Sequence, residues 1–173
     1  MRIFSHKTIP ILLLTCLTLI CSNCGYRLGG VKPEALSHIS AVRMTVFINN
    51  SLEPSAGSLV TNAISEAIQR DGTFHLASKG QAQARIEGSI DSVRFVQLRS
   101  STADTYKSTE LGLELSVKYK VVDARDNKVL LEGEEMGSAS FFSIGNQQTA
   151  KTNALSYAAR LVAGQIAATI TNG

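Results

Sequence analysis

The side chains of this chain that could do chemistry are few, and their types point to modification of a thiol and to binding of anions. The three cysteines, Cys16, Cys21 and Cys24, all fall near the start. Arg2 and Lys7 give a short positive beginning, and Ile9 to Ile20 is an almost unbroken apolar run. That run is shorter than the ~20 apolar residues a bilayer-crossing helix needs, so it reads as a cleaved export signal, residues 1–23. A cysteine just past such a run is a site of cleavage and lipid attachment. Cys24 would then be the first mature residue and carry palmitate-type acyl chains. Cys21 stands where such signals usually have Leu, and Asn23 where they have a small residue, which keeps Cys21 open as the attachment point. A secreted product with ordinary cysteines is the plainer alternative.

The second chemical group is basic. Arg99 and Lys107 bracket a polar stretch, and Lys151 sits near the start of a long helical pattern. Gathered at one end of a fold, beside the unpaired N–H groups of a helix N-terminus, they would suit an anionic phosphate. The plainer reading is a solvated loop that Asp104 partly neutralises. Lys118 and Lys120 form another pair on one face of a strand, where they would either bind anions or simply face Glu87 or Glu114 across a sheet. Tyr26, Tyr106, Phe141 and Phe142 lie at element ends, outside the clean apolar faces, and are candidates for contact with a partner; for the two phenylalanines, packing inside the domain is the alternative.

Catalysis finds little to work with. Beyond the apolar run the only histidines are His38 and His75, at no metal-binding spacing, and there is no nucleophile elbow and no phosphate loop with its lysine. We expect no enzymatic activity, no cofactor and no metal. The 17 Lys and Arg of the chain, less Arg2 and Lys7, leave 15 against 14 Asp and Glu. So even a balance carries no basic stripe, and nucleic acid is not expected as a partner.

The elements that must hold these residues follow from periodicity. Gly29 to Ser40 reads as the end of a tether, residues 24–40, leading into a domain of residues 41–173. Val42, Met44, Val46 and Ile48 alternate, predicting a first strand with one buried face. Leu59, Val60, Ala63, Ile64, Ala67 and Ile68 follow the helical period from Ser55 to Asp71, and Gly72 is a ready stop. A short extended piece, 73–76, leads away. Arg85 to Leu98 is a second strand whose apolar parity changes near Asp91-Ser92, which requires a bulge. Leu111 to Val121 alternates cleanly, and Lys128 to Phe142 makes a fourth strand. A final helix runs from about Thr149 to Ile170 with one apolar side. The order β-α-β-β-β-α predicts an α+β two-layer sandwich: two helices on one face of a mainly antiparallel four-stranded sheet.

In order along the chain, Cys24-Gly25-Tyr26-Arg27-Leu28, Val46-Phe47-Ile48-Asn49-Asn50-Ser51, Asp71-Gly72-Thr73-Phe74-His75-Leu76, Ala84 to Ile90, the Leu111 to Val121 alternation and Lys128-Val129-Leu130-Leu131-Glu132 resemble the LptE family of outer-membrane lipopolysaccharide-assembly lipoproteins. Each piece alone is weak; their order and the Cys-Gly-Tyr start carry the resemblance. It implies a protein lipid-anchored to the outer membrane on its periplasmic side, an LptD-type β-barrel as partner in whose lumen it sits as a plug, and lipopolysaccharide as ligand. Arg99, Lys107, Lys151, Lys118 and Lys120 are then the lipopolysaccharide-binding candidates, and Tyr26, Tyr106, Phe141 and Phe142 the barrel-contact candidates. The competing reading is a lipid-anchored adaptor, a protein-binding module of another envelope complex. Mass spectrometry of the mature N-terminus should find a diacylglyceryl cysteine at position 24; an intact residue 1 or an unmodified cysteine would remove the anchor.

Overall fold

The computed structural model describes residues 32–100, 108–142 and 146–173. Six strands, β1 (Ala41–Met44), β2 (Ile48–Asn49), β3 (His75–Leu76), β4 (Ala84–Ser100), β5 (Ser108–Asp123) and β6 (Val129–Phe142), combine with helices α1 (Ala56–Asp71) and α2 (Gln147–Asn172). The sheet runs β3-β1-β4-β5-β6, with β2 also on β4. β4, β5 and β6 form the expected antiparallel meander, while β1 lies parallel to both β3 and β4, and β2 parallel to β4.

The alternation of β5 is what the rest is built on. Leu113, Leu115, Val117, Tyr119 and Val121 all point to one side and are buried. Leu155, Val162 and Ile166 of α2 cover them, and Ile64 and Ile68 of α1 join the same continuous core. The parity change in β4 is resolved by a bulge between Ile90 and Ser92, which returns Val93 and Phe95 to the face of Leu115 and Leu113. Gly72 ends α1 at φ 78°, a left-handed conformation that glycine adopts without steric cost.

Two expectations are corrected. The sheet has six strands, not four, and short parallel pairings of β1, β2 and β3 beside the long antiparallel meander make it mixed. The difference comes from residues 75–76, which pair in parallel with Ala41 and Val42 instead of merely leading away, and from a break inside the first strand. That break also corrects the burial of its residues. Val42 is buried, but Val46 and Ile48 are 76% and 68% exposed, and Phe47 takes the inside position. Thr45 donates its N–H and its hydroxyl to the Ile86 carbonyl, and the Phe47 N–H donates to Thr61 Oγ1 at 3.0 Å. The chain thereby leaves β pairing for three residues and flips its parity. Phe47 has room because Gly88 has no side chain: a Cβ there would fall on the Lys118 carbonyl oxygen and 2.5 Å from Phe47 Cε1.

Packing also starts earlier than the first strand. Leu36, in a short 3-10 turn at Glu34–Leu36, and Ile39 are fully buried, so the last residues before Ala41 belong to the core. α2 begins at Gln147, with Asn146 as its cap, two residues before the predicted start.

Gly88→Ala should lower unfolding stability by about 1–3 kcal/mol through overpacking, and Phe47→Ala by about 3–5 kcal/mol through the cavity left behind. Urea titration checks both. A Gly88→Ala protein as stable as the parent would mean that Phe47 does not occupy this slot.

Candidate functional site

The polar tip of the β4–β5 hairpin was the expected anion site, and the structure divides its residues. Lys107 lies outside the described residues, as do Cys24, Tyr26 and Tyr106. Arg99 registers opposite Glu110, whose partner on β6 is Phe142, and its Nε stands 3.8 Å from the Glu110 carboxylate. Lys151, in the second turn of α2, is on the other side of the sheet. Its Nζ lies 2.5 Å from Glu53 and 4.5 Å from the centre of the Phe95 ring. Phe95 in turn meets Phe141 edge-on at 6.2 Å. Lys151 thus clamps three elements together: the loop before α1, β4 and α2. At the α2 N-terminus the Asn146 side chain accepts the Thr149 N–H at 3.2 Å, so one of the free donors there is already satisfied. Phe141 is buried, and Phe142, its neighbour on the opposite face, is exposed.

Lys118 and Lys120 lie on the solvent face of the sheet, on the floor of a groove of about 770 Å³. Val46 and Ile48 form one wall and Glu132 and Glu134 the other. Lys120 is 3.1 Å from Glu87, which also accepts from Arg85 Nε at 2.9 Å; Lys118 is 3.2 Å from Asp91. Register continues the pattern: Lys120 stands opposite Glu132, and Lys118 opposite Glu134, which accepts from Ser116 Oγ at 2.7 Å. Glu114 is taken by Arg94 at 3.2 Å. The hydrogen bond from Arg85 holds the Glu87 carboxyl below its ordinary range, against the opposing effect of burial and with help from Lys120. Carboxylates therefore at least match the cations of this face. The lysines act as cross-strand partners, the plainer of the two expectations, and a phosphate entering the groove would have to displace those carboxylates.

At the far end of β5, Asp123 is buried. Its carboxyl accepts the Arg125 backbone N–H at 2.8 Å and lies 3.3 Å from the Arg125 guanidinium, and these bonds hold it below its ordinary range. His38 Nε2 is 4.0 Å away. Among the described residues no group of three or more His, Cys, Asp or Glu is placed to hold a metal ion, and no helix is long and apolar enough to cross a membrane.

What pattern reading missed is the exposure of Val46 and Ile48 beside the groove, and of Leu52 in the loop that follows them. Leu52 is 97% exposed. The only advance sign was the bulky Phe47, out of phase in an otherwise alternating run.

With two helices roofing one face of a mixed sheet, the chain is of a class of small α+β domains that recurs among solved structures. It resembles PelC from Paraburkholderia phytofirmans, solved as a dodecamer, at 13% identity over 83% of this chain and 95% of that one, with a TM-score of 0.52. A lipoprotein of Caulobacter crescentus aligns at 16% identity over 72% and 87% of the two chains, TM-score 0.51. A minor lipoprotein of Acinetobacter baumannii aligns at 11% identity over 76% and 92%, TM-score 0.51. At these identities the likeness is one of fold. A comparison with curated protein sequences returns no match. Residues 39–170 match the sequence model of LptE, described as lipopolysaccharide-assembly. The chain belongs to the LptE lipopolysaccharide-assembly family.

Replacing Lys151 with Ala should destabilise the domain by about 1–3 kcal/mol, since it leaves the Glu53 carboxylate without its cation and removes the contact on Phe95. Thermal melts of Lys151→Ala, Glu53→Ala and the double variant measure the coupling; additive losses would show the pair to be idle. The lowered carboxyls of Glu87 and Asp123 favour the folded state above the ordinary carboxylate range. That contribution is lost as pH falls through their folded values. Asp123→Asn should accordingly flatten the acid limb of the stability profile, and an unchanged limb would refute the role given to Arg125.

Proposed function

We propose that the protein is a lipid-anchored outer-membrane subunit that assists lipopolysaccharide transport and assembly, as the plug of an LptD-type β-barrel, and that it binds lipopolysaccharide. The observation that carries this reading is the family match, which runs from Ile39 to Ile170 and so takes in nearly every described element. The anchor would be Cys24, with residues 1–23 removed, and the protein would face the periplasm or the barrel lumen.

The surface supports a plug. The uncovered face of the sheet presents Arg85, Glu87, Arg94, Glu114, Lys118 and Lys120, charged groups of both signs whose short ion pairs let them meet a polar wall. The interior of large outer-membrane barrels is polar in the same way. Binding without covalent chemistry would suffice for the ligand: cations offered to lipid A phosphates would compete with the packing of the lipids among themselves. Lys107 and Arg99, the latter by loosening its hold on Glu110, are the first contacts on the hairpin. Lys118, Lys120 and Lys151 would take part only by exchanging a carboxylate for a phosphate. Phe142, exposed beside the same tip, is the described residue best placed for the barrel, and Tyr26 and Tyr106 complete that set.

Tagged full-length protein, extracted gently, should bring down a heat-modifiable barrel protein in constant stoichiometry. A preparation without any such barrel would favour the adaptor of another envelope complex. For the ligand, the double variant Arg99→Glu, Lys107→Glu should bind purified lipopolysaccharide at least tenfold more weakly, the scale of one charge-assisted contact, with its melting temperature unchanged. Full retention of binding would discard the hairpin as the contact.

A further inference from the structure

Among the described residues no strand pairs with the outer edge of β6. That edge is not uniform. Its first half carries Glu132, Glu134 and Glu135, the kind of charge that stops an exposed strand from pairing with a neighbour. Its second half, from Gly137 to Phe142, carries no charge. Two depressions flank this second half. One, of about 710 Å³, lies between Ala139 and Phe141 and the overhanging side of α2, formed by Asn153, Tyr157 and Arg160. The other, of about 370 Å³, lies over Val96, Gly112, Ser138 and Ser140.

We infer that the Gly137–Phe142 edge of β6 is a docking site for an extended segment of a partner polypeptide, added as a further strand with an acidic side chain directed at Arg160. Outward-facing N–H and C=O groups of an edge are matched best by another main chain, and the side chains of an added strand alternate between its faces. Ser138 and Ser140 register on the face of Gly112 and Glu114, whereas Ala139 and Phe141 register on the face of Leu113 and Leu111. Alternate residues of the incoming segment would therefore enter alternate depressions. Arg160 supplies the charge: it makes no ion pair among the described residues.

The roof decides which kind of strand fits. Adjacent strands are about 4.8 Å apart, and packed helices need about 8–10 Å between axes. Because α2 already overhangs the place of the next strand, a second copy joined through β6 would bring its own α2 into occupied space. A bare segment meets no such obstacle. The wall of a closed barrel cannot supply it, since each of its strands is paired on both sides. The segment must come from an arm, a loop or a tail. This inference stands whether or not lipopolysaccharide is the ligand.

The test uses full-length protein in detergent and synthetic ten-residue peptides of alternating Val and Thr. One carries a central Glu, one a central Lys, and one the Glu together with backbone N-methyl groups. Amide hydrogen exchange is followed along β6. The Glu peptide should slow exchange within Gly137–Phe142 but not at Glu132 to Glu135, the Lys peptide should bind about fivefold more weakly, and the methylated peptide should not bind. Arg160→Glu should reverse the preference between Glu and Lys; Ser140→Lys, which leaves Arg160 in place, should weaken all binding. Failure of every peptide at millimolar concentration, protection elsewhere, or equal binding of the methylated peptide would overturn the proposal. So would slow exchange at these amides in peptide-free protein that sediments as a dimer, which would make a second copy the occupant.

Discussion

A sheet with one dry face needs a cover as broad as itself, and the central constraint in this protein is the match between the apolar side of the sheet and its two covering helices. Leu113 to Val121 present five buried side chains on one side of a single strand. α2 meets them with a broad stripe of small residues, Ala154, Ala158, Ala159, Ala163 and Ala167, set among Leu155, Val162 and Ile166. Small side chains let the helix settle close to the strands. Gly137 is part of that fit, since a Cβ there would come within 2.6 Å of the Ala158 carbonyl oxygen. Helix-to-sheet distance is thus fixed by absent atoms as much as by present ones.

The opposite face is governed by charge, with different energetics. Its ion pairs are short but largely open to water, and such pairs contribute little each to stability, about 0–1 kcal/mol. Their effect is on specificity. Lys120 between Glu87 and Glu132, and Lys118 between Ser89 and Glu134, fit only one alignment of β4, β5 and β6. A one-residue slip would put the buried row of β5 into water and set these charges against the helices.

Much of this was legible in the sequence, for reasons that can be named. β5 alternates without interruption from Leu111 to Val121, so its faces there follow from the period of two. The bulge in β4 was equally visible, because a parity change inside one strand has few other resolutions. The parallel pairs were not. β1 and β3 owe their place to partners far along the chain, Val42 to Ala84 and Ala41 to His75, and a two-residue strand has no period to read. The inward turn of Phe47 depends on Gly88, and the engagement of Lys151 on Glu53; in both cases a residue took its role from a neighbour that only the fold supplies. The expectations placed on Cys24 and Lys107 rest on the sequence alone.

The insertion of β1 between β3 and β4 also has a kinetic side. The meander β4–β5–β6 joins neighbours in sequence, a topology of local contacts that forms quickly. β1 has no slot until β4 exists, and its pairing must close a long loop first. A chain released from its N-terminus onward therefore holds Val42 and Phe47 uncovered until the later half arrives. For that interval apolar side chains at the start of the domain would meet water, and a chaperone with affinity for apolar segments would shield them.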